Sequence, residues 1–144
     1  MKQADRKLTL EQLEEDYWPE HEYDNEESQF SHEYRKIPLE LMGVEQVRFL
    51  LGRNIGNEYL LPIALEMLES DILISGNLHE GDLLMAVLAS SEGLWKEEIE
   101  AWDRVCALVE RNLERIKNSE DVFEGVKKEI VNAYKAFKKI LARN

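Results

Sequence analysis

Apolar residues along this chain recur three and four positions apart far more often than two apart, so the pattern describes helices and hardly any strand. Thr9 followed by Gln12 has the form of a capping box, opening a short helix through Leu10, Leu13 and Glu14 that ends before Pro19. A second helix is expected around Ser28 to Arg35, and Pro38 marks the next break. Val44, Val47, Leu50 and Leu51 then trace an amphipathic helix after Gly43, with Gly52 and Gly56 bracketing its end. From Leu60 to Leu68 the residues Leu61, Ala64, Leu65 and Leu68 share one face, and Pro62 is placed in that helix's first turn, where a missing N–H costs little. Ser75-Gly76-Asn77 is turn chemistry, after which Gly81-Asp82 can cap a helix through Leu83, Leu84, Val87 and Leu88. Trp95, Ile99, Trp102, Cys106, Val109, Leu113 and Ile116 predict one helix of about six turns. Val122, Val126, Ile130, Ala133, Phe137 and Ile140 predict its partner across a short break at Asn118-Ser119. Only Asp71 to Ser75 offers a trace of strand period.

The expectation is an all-α, single-domain bundle of about six to seven helices ending in a long antiparallel helical hairpin. At 144 residues the chain can bury a core without disulfides, and its 44% hydrophobic and 33% charged content is that of a folded domain. Residues 1–7 are read as a flexible lead-in, 8–90 as the first part and 91–144 as the hairpin. The lone Cys106 sits at helical spacing among apolar residues and is expected in the core.

Charge narrows the class of partner. Eighteen Lys and Arg against thirty Asp and Glu give a net charge of -12, which repels nucleic acid and anionic lipid alike and suits a basic protein. The most apolar stretch, Tyr59 to Ile74, is broken by Pro62, Glu66, Glu69 and Asp71, and no apolar run follows the polar start. The expected location is the cytoplasm.

Signatures of catalysis fail at their defining residues: there is no phosphate-binding Gly-rich loop, Cys-x-x-Cys pair, Gly-x-Ser-x-Gly elbow or His-Glu-x-x-His helix. Gly52 to Gly56 reads as a helix end rather than a phosphate cradle. His21, Glu22, Asp24, His32 and Glu33 match no standard metal-ligand spacing, and His79 beside Glu80 and Asp82 has no nucleophile partner. No enzyme activity, cofactor or metal is expected.

The run from Leu8 to Tyr34 is the sharper feature: ten acids, Glu11 and Glu14 through Glu33, meet no Lys or Arg. Such a run is commonly only a solvated face. Here Tyr17, Trp18, Tyr23, Phe30 and Tyr34 are interleaved with it, and aromatics among charges of one sign are what an interface anchor and its steering field require. Trp18 and Tyr34 are expected to be buried, leaving Tyr23 as the exposed anchor. The candidate binding residues are therefore Glu14, Glu15, Asp16, Glu20, Glu22, Tyr23, Asp24, Glu26 and Glu27. The mildly basic last helix, with Lys127, Lys128, Lys135, Lys138 and Lys139, is a rival destination for these acids within the chain.

Leu8-Thr9-Leu10-Glu11-Gln12-Leu13-Glu14 with Asp16 and Trp18, then Arg35-Lys36-Ile37-Pro38-Leu39 and Val44-Glu45-Gln46-Val47-Arg48, are similar to a family of bacterial immunity proteins from contact-dependent growth inhibition (CDI) systems. The resemblance continues through Leu51-Gly52-Arg53-Asn54-Ile55-Gly56 and Glu58-Tyr59-Leu60-Leu61-Pro62-Ile63-Ala64-Leu65-Glu66 to Gly81-Asp82-Leu83-Leu84. The chain departs from the family pattern between Tyr23 and His32, at Arg53 where that pattern has Gln, and beyond Ser90. What the resemblance implies is a cytoplasmic inhibitor that binds and neutralises a delivered toxin domain, often a nuclease. The alternative is an acidic helical adaptor or regulator, with a homodimer formed through a second apolar edge at Val105, Leu108 and Val131.

Overall fold

A computed structural model describes residues 1–19 and 25–142, and among them the chain is all helix. The elements are α1 (Leu10–Glu14), α2 (Glu26–Tyr34), a 3-10 turn (Leu39–Leu41), α3 (Val44–Gly52), α4 (Asn57–Ser70), α5 (Asp82–Leu88), α6 (Glu92–Glu97), α7 (Ile99–Asn118) and α8 (Glu124–Leu141). Asp71 to Ser75 forms no strand.

Local chemistry explains the starts. Thr9 Oγ1 accepts from the Gln12 amide at 3.2 Å while Gln12 Oε1 accepts from the Thr9 amide at 2.9 Å, completing the capping box of α1. Asn25 Oδ1 takes the Ser28 amide at 2.9 Å to open α2, and Gln46 Oε1 takes the Gly43 amide at 2.8 Å at the head of α3. Gly56 caps α4 at φ 67°, and a Cβ there would stand 2.7 Å from the Leu10 side chain, so glycine lets α1 press onto the start of α4.

Pro62 lies inside α4 rather than in its first turn. Proline there leaves the Glu58 carbonyl without its usual i+4 donor. The backbone N–H of Lys2 donates to that carbonyl at 2.9 Å. A helix defect thus becomes a docking point for the N-terminus, and Lys2 Nζ reinforces it with an ion pair to Glu58 at 3.3 Å. The first seven residues form no regular element, yet the Met1 amino group also meets Glu98 and Arg6 meets Glu66.

The core forms around α4, which buries seven residues, and around α3, which packs on α4 and α5 through Val47, Leu50 and Leu51. α8 covers α5, α6 and α7. The predicted single helix from Trp95 to Ile116 is in fact two, broken at Glu98 (φ −119°, ψ 56°), so among the described residues eight α-helices stand where six or seven were expected. The break resets the helical phase. Trp95 is fully buried with its ring 4.9 Å from Phe137 in an edge-on contact, while Ile99 is exposed and Trp102 and Cys106 are half-buried. The buried side of α7 is instead Ala101, Val105, Leu108, Val109 and Ile116. Val105 and Leu108, expected at an exposed second edge, therefore belong to the core and offer no dimer surface.

A buried polar anchor fixes the loop before α5. Asp82, 2% exposed, accepts the amides of Gly76 (2.7 Å), Leu78 (3.0 Å) and His79 (3.4 Å), and Glu45 of α3 accepts the Asn77 amide at 2.8 Å. Arg48 closes the set, bonding Glu45 at 2.7 Å and lying 3.8 Å from Asp82. Asp82 is thus less a helix cap than the organiser of the turn ahead of it. Gly76 is required because a Cβ would fall 2.5 Å from Glu45 Oε1 and 3.2 Å from the Glu45 Cα.

The Arg48 guanidinium holds the Glu45 carboxyl below the usual carboxylate value, with the Asn77 amide assisting. A depressed folded pKa contributes stability that is present above the unfolded value of 4.5 and is lost as pH falls through the folded one. Acid titration of unfolding should therefore show a loss of stability below about pH 4.5 that is reduced in Glu45→Gln. Identical acid profiles for the two chains would refute the assignment.

Candidate functional site

Two segments form the described part of the acidic face. The first is the end of α1 and the irregular stretch after it. Glu14 reaches the buried Arg35 at 2.8 Å, and the Arg35 guanidinium lies 4.3 Å from the centre of the Trp18 ring. Trp18 Nε1 in turn donates to Asp16 Oδ2 at 3.3 Å. Trp18 is thus half-buried as a lid on Arg35, whose backbone carbonyl also receives the Glu11 amide at 3.3 Å. Glu15 ends α1 in the left-handed region at φ 53°, which turns its carboxylate and that of Asp16 toward solvent.

The second segment is the first turn of α2, where Glu26 and Glu27 are exposed and favoured by the helix dipole. Glu27 pairs with Arg53 at 2.7 Å. The acids are therefore not unopposed in space: Glu14 and Glu27 find arginines from outside their run. Glu15, Asp16 and Glu26 carry no ion pair among the described residues. Glu20, Glu22, Tyr23 and Asp24 lie outside the described residues.

The aromatics divide by role. Phe30 and Tyr34 stack at 5.5 Å, and both meet the Phe49 ring of α3 edge-on, at 6.0 and 5.5 Å. Tyr34 is half-buried rather than buried, and this cluster fastens α2 to α3. Of the described aromatics in the acidic run, Tyr17 is the exposed one, at 64%.

Other acids join from afar. Glu14 lines a groove of about 310 Å³ with Glu58, Glu97 and Glu98, contributed by α4 and by the junction of α6 and α7. No local signal marks these three, because only the packing of distant helices gathers them. The basic last helix takes no described part in this face: Lys138 pairs with Glu110 at 3.3 Å and Lys127 with Glu124 at 3.0 Å.

The remaining titratable groups point away from nucleophilic chemistry. Burial pushes the half-buried Cys106 thiol up to about 11, keeping it protonated near neutrality, and His79 Nδ1 lies 2.8 Å from the Glu80 carbonyl in an exposed turn. No grouping of three or more His, Cys, Asp or Glu suited to a metal occurs among the described residues.

A family model described as CDI immunity proteins matches residues 12–105, about two thirds of the chain. The match runs past Leu84, the last residue of the motif resemblance, through α6 and into the first turns of α7. No curated protein and no solved structure matches. Glu27, within the segment from Tyr23 to His32, and Arg53 are both positions expected from the motif resemblance to depart from the family pattern, and the ion pair joins them.

Proposed function

The chain belongs to the CDI immunity protein family, and from that premise we propose that it neutralises its toxin by binding a basic nuclease domain in the cytoplasm through the acidic N-terminal face. The observation that carries the reading is that Glu15, Asp16 and Glu26 are exposed, as is Tyr17, with Glu20, Glu22, Tyr23 and Asp24 between them in sequence. A nuclease must be basic where it holds phosphate. An inhibitor with net charge -12 is attracted to that surface from a distance and competes with the substrate for it. Among the described residues no helix is long and apolar enough to cross a membrane, which favours a target outside the bilayer.

The Glu27–Arg53 pair supports a further part of the reading, partner choice. A family that shares a scaffold discriminates among toxins by changing residues on one surface, and paired changes keep that surface satisfied while altering its shape. Tyr17 and Tyr23 are proposed as the anchors, with the acids around them as the steering field.

Co-expression with the toxin encoded beside this chain tests the function: cells carrying both should survive, and death at the rate seen with toxin alone would end the immunity reading. The surface is tested by converting Glu15, Asp16, Glu20, Glu22, Asp24 and Glu26 together to their amides. Association with the catalytically inactivated toxin domain should slow by roughly 10- to 100-fold at low salt, with the thermal midpoint little changed. The difference should shrink as salt rises. An unchanged association rate would place the contact elsewhere.

A further inference from the structure

A second surface stands apart from the acidic N-terminal face. Leu78 and Phe123 are 64% and 81% exposed, and both line a notch of about 240 Å³ between the loop before α5 and the loop before α8. Val122, itself buried, and the half-buried Val126 add apolar surface, His79 also lines the notch with its ring Nδ1 2.8 Å from the Glu80 carbonyl, and Glu80 and Asp121 supply acids. An adjoining groove of about 560 Å³ shares Glu80 and Asp121 and adds Glu120 and Asp71. Arg115 pairs with Asp71 at 2.7 Å, whereas Glu80, Glu120 and Asp121 have no ion pair among the described residues.

Single exposed hydrophobic residues are ordinary, but two large ones converging on one apolar hollow form the geometry of an anchor site. Its acids select the occupant, because a desolvated contact ringed by uncompensated carboxylates disfavours an acidic partner and favours a basic one. The site is also set in advance. Asp82 holds the amide of Leu78 itself at 3.0 Å, so that loop loses little freedom on binding.

Placement separates this notch from the face already described. Glu45, which holds the loop carrying Leu78, is in the first turn of α3, and Arg53, which meets Glu27, is at its other end, about 12 Å further along the axis. Leu78 and Glu80 fall within the segment matched by the family model, and Asp121 and Phe123 fall beyond it.

We propose that this notch is a second contact surface for the toxin, seating an apolar side chain flanked by Lys or Arg on the toxin domain. The inference rests on the immunity reading above. Its test is binding of the catalytically inactivated toxin domain to the full chain carrying Phe123→Ala, Leu78→Ala or both. Phe123 offers only its backbone carbonyl to the start of α8, receiving the Lys127 amide at 3.0 Å, so its truncation should leave the thermal midpoint within about 2 °C. The dissociation constant should rise at least about tenfold in Phe123→Ala, chiefly through faster release, in contrast to the slower association expected of the amide variant. Asp121→Lys should weaken binding as well. An unchanged dissociation constant in the double variant overturns the notch while leaving the immunity reading intact. A dimer of the unsubstituted chain that Phe123→Ala dissociates overturns it in favour of a second copy as occupant. No binding by the unsubstituted chain sinks both.

Discussion

Trp95→Ala is expected to remove about 3 to 5 kcal/mol of folding stability, the largest loss from any single change to this chain. The ring is fully buried, touches Phe137 edge-on at 4.9 Å, and sits where α6 meets α8. Its Nε1 has no hydrogen-bond partner in the structure, so the loss is one of packing and cavity formation rather than of a broken polar contact. A domain of this size holds about 5 to 15 kcal/mol in all, so the variant should sit near the edge of folding at 37 °C. Denaturant unfolding at two temperatures measures it. Trp102→Ala is the comparison: that ring is half-buried, stacks on the same Phe137 at 6.0 Å and donates to its carbonyl at 3.0 Å, giving an expected loss of about 2 kcal/mol. Equal losses at the two sites, or a loss under about 1 kcal/mol at Trp95, would contradict this description of the core.

The second large effect is expected at Asp82→Asn, a change of one atom worth about 3 kcal/mol. Both carboxylate oxygens accept backbone amides, one from Gly76 and the other from Leu78 and His79. An amide side chain has one acceptor, so whichever way it turns its NH₂ confronts an N–H, and a buried donor is left unsatisfied. The Arg48 guanidinium also loses a nearby negative charge at 3.8 Å. Hydrogen exchange should locate the damage, with the amides of Gly76, Leu78 and His79 losing protection before those of α4. Uniform loss across the chain would mean that Asp82 supports the whole fold rather than the turn. Because Leu78 rides on this turn, the same variant should weaken whatever contact the notch makes.

Much of the helical framework was legible from spacing alone. α3, α4 and α5 bury the leucines and valines that their periodicity marks, apart from the half-buried Val44 in the first turn of α3, since a helix repeats every 3.6 residues whatever it packs against. The capping box at Thr9 was equally readable, because its partners are three residues apart. The stripe from Trp95 to Ile116 misled for the converse reason: spacing of three and four continues smoothly through Glu98, but the backbone turns there and the next helix presents another side. Pro62 misled in the same way. Its tolerance inside α4 depends on Lys2, sixty residues earlier, taking the carbonyl it leaves open.

For the acidic face, the sequence by itself determined the excess of charge, its position and the family motifs around it, all of which follow from residue identity and order. Tertiary structure decided how much of that charge is free. Arg35 and Arg53 arrive from outside the run to meet Glu14 and Glu27, while Glu58, Glu97 and Glu98 are brought beside Glu14 from other helices. It likewise turned Phe30 and Tyr34 inward onto Phe49, left Tyr17 outside, and joined Leu78 to Phe123 across two loops. The physical reason is common to all of these. Charge and helical period act between near neighbours in the chain, whereas ion pairing, burial and the shape of a notch act between neighbours in space.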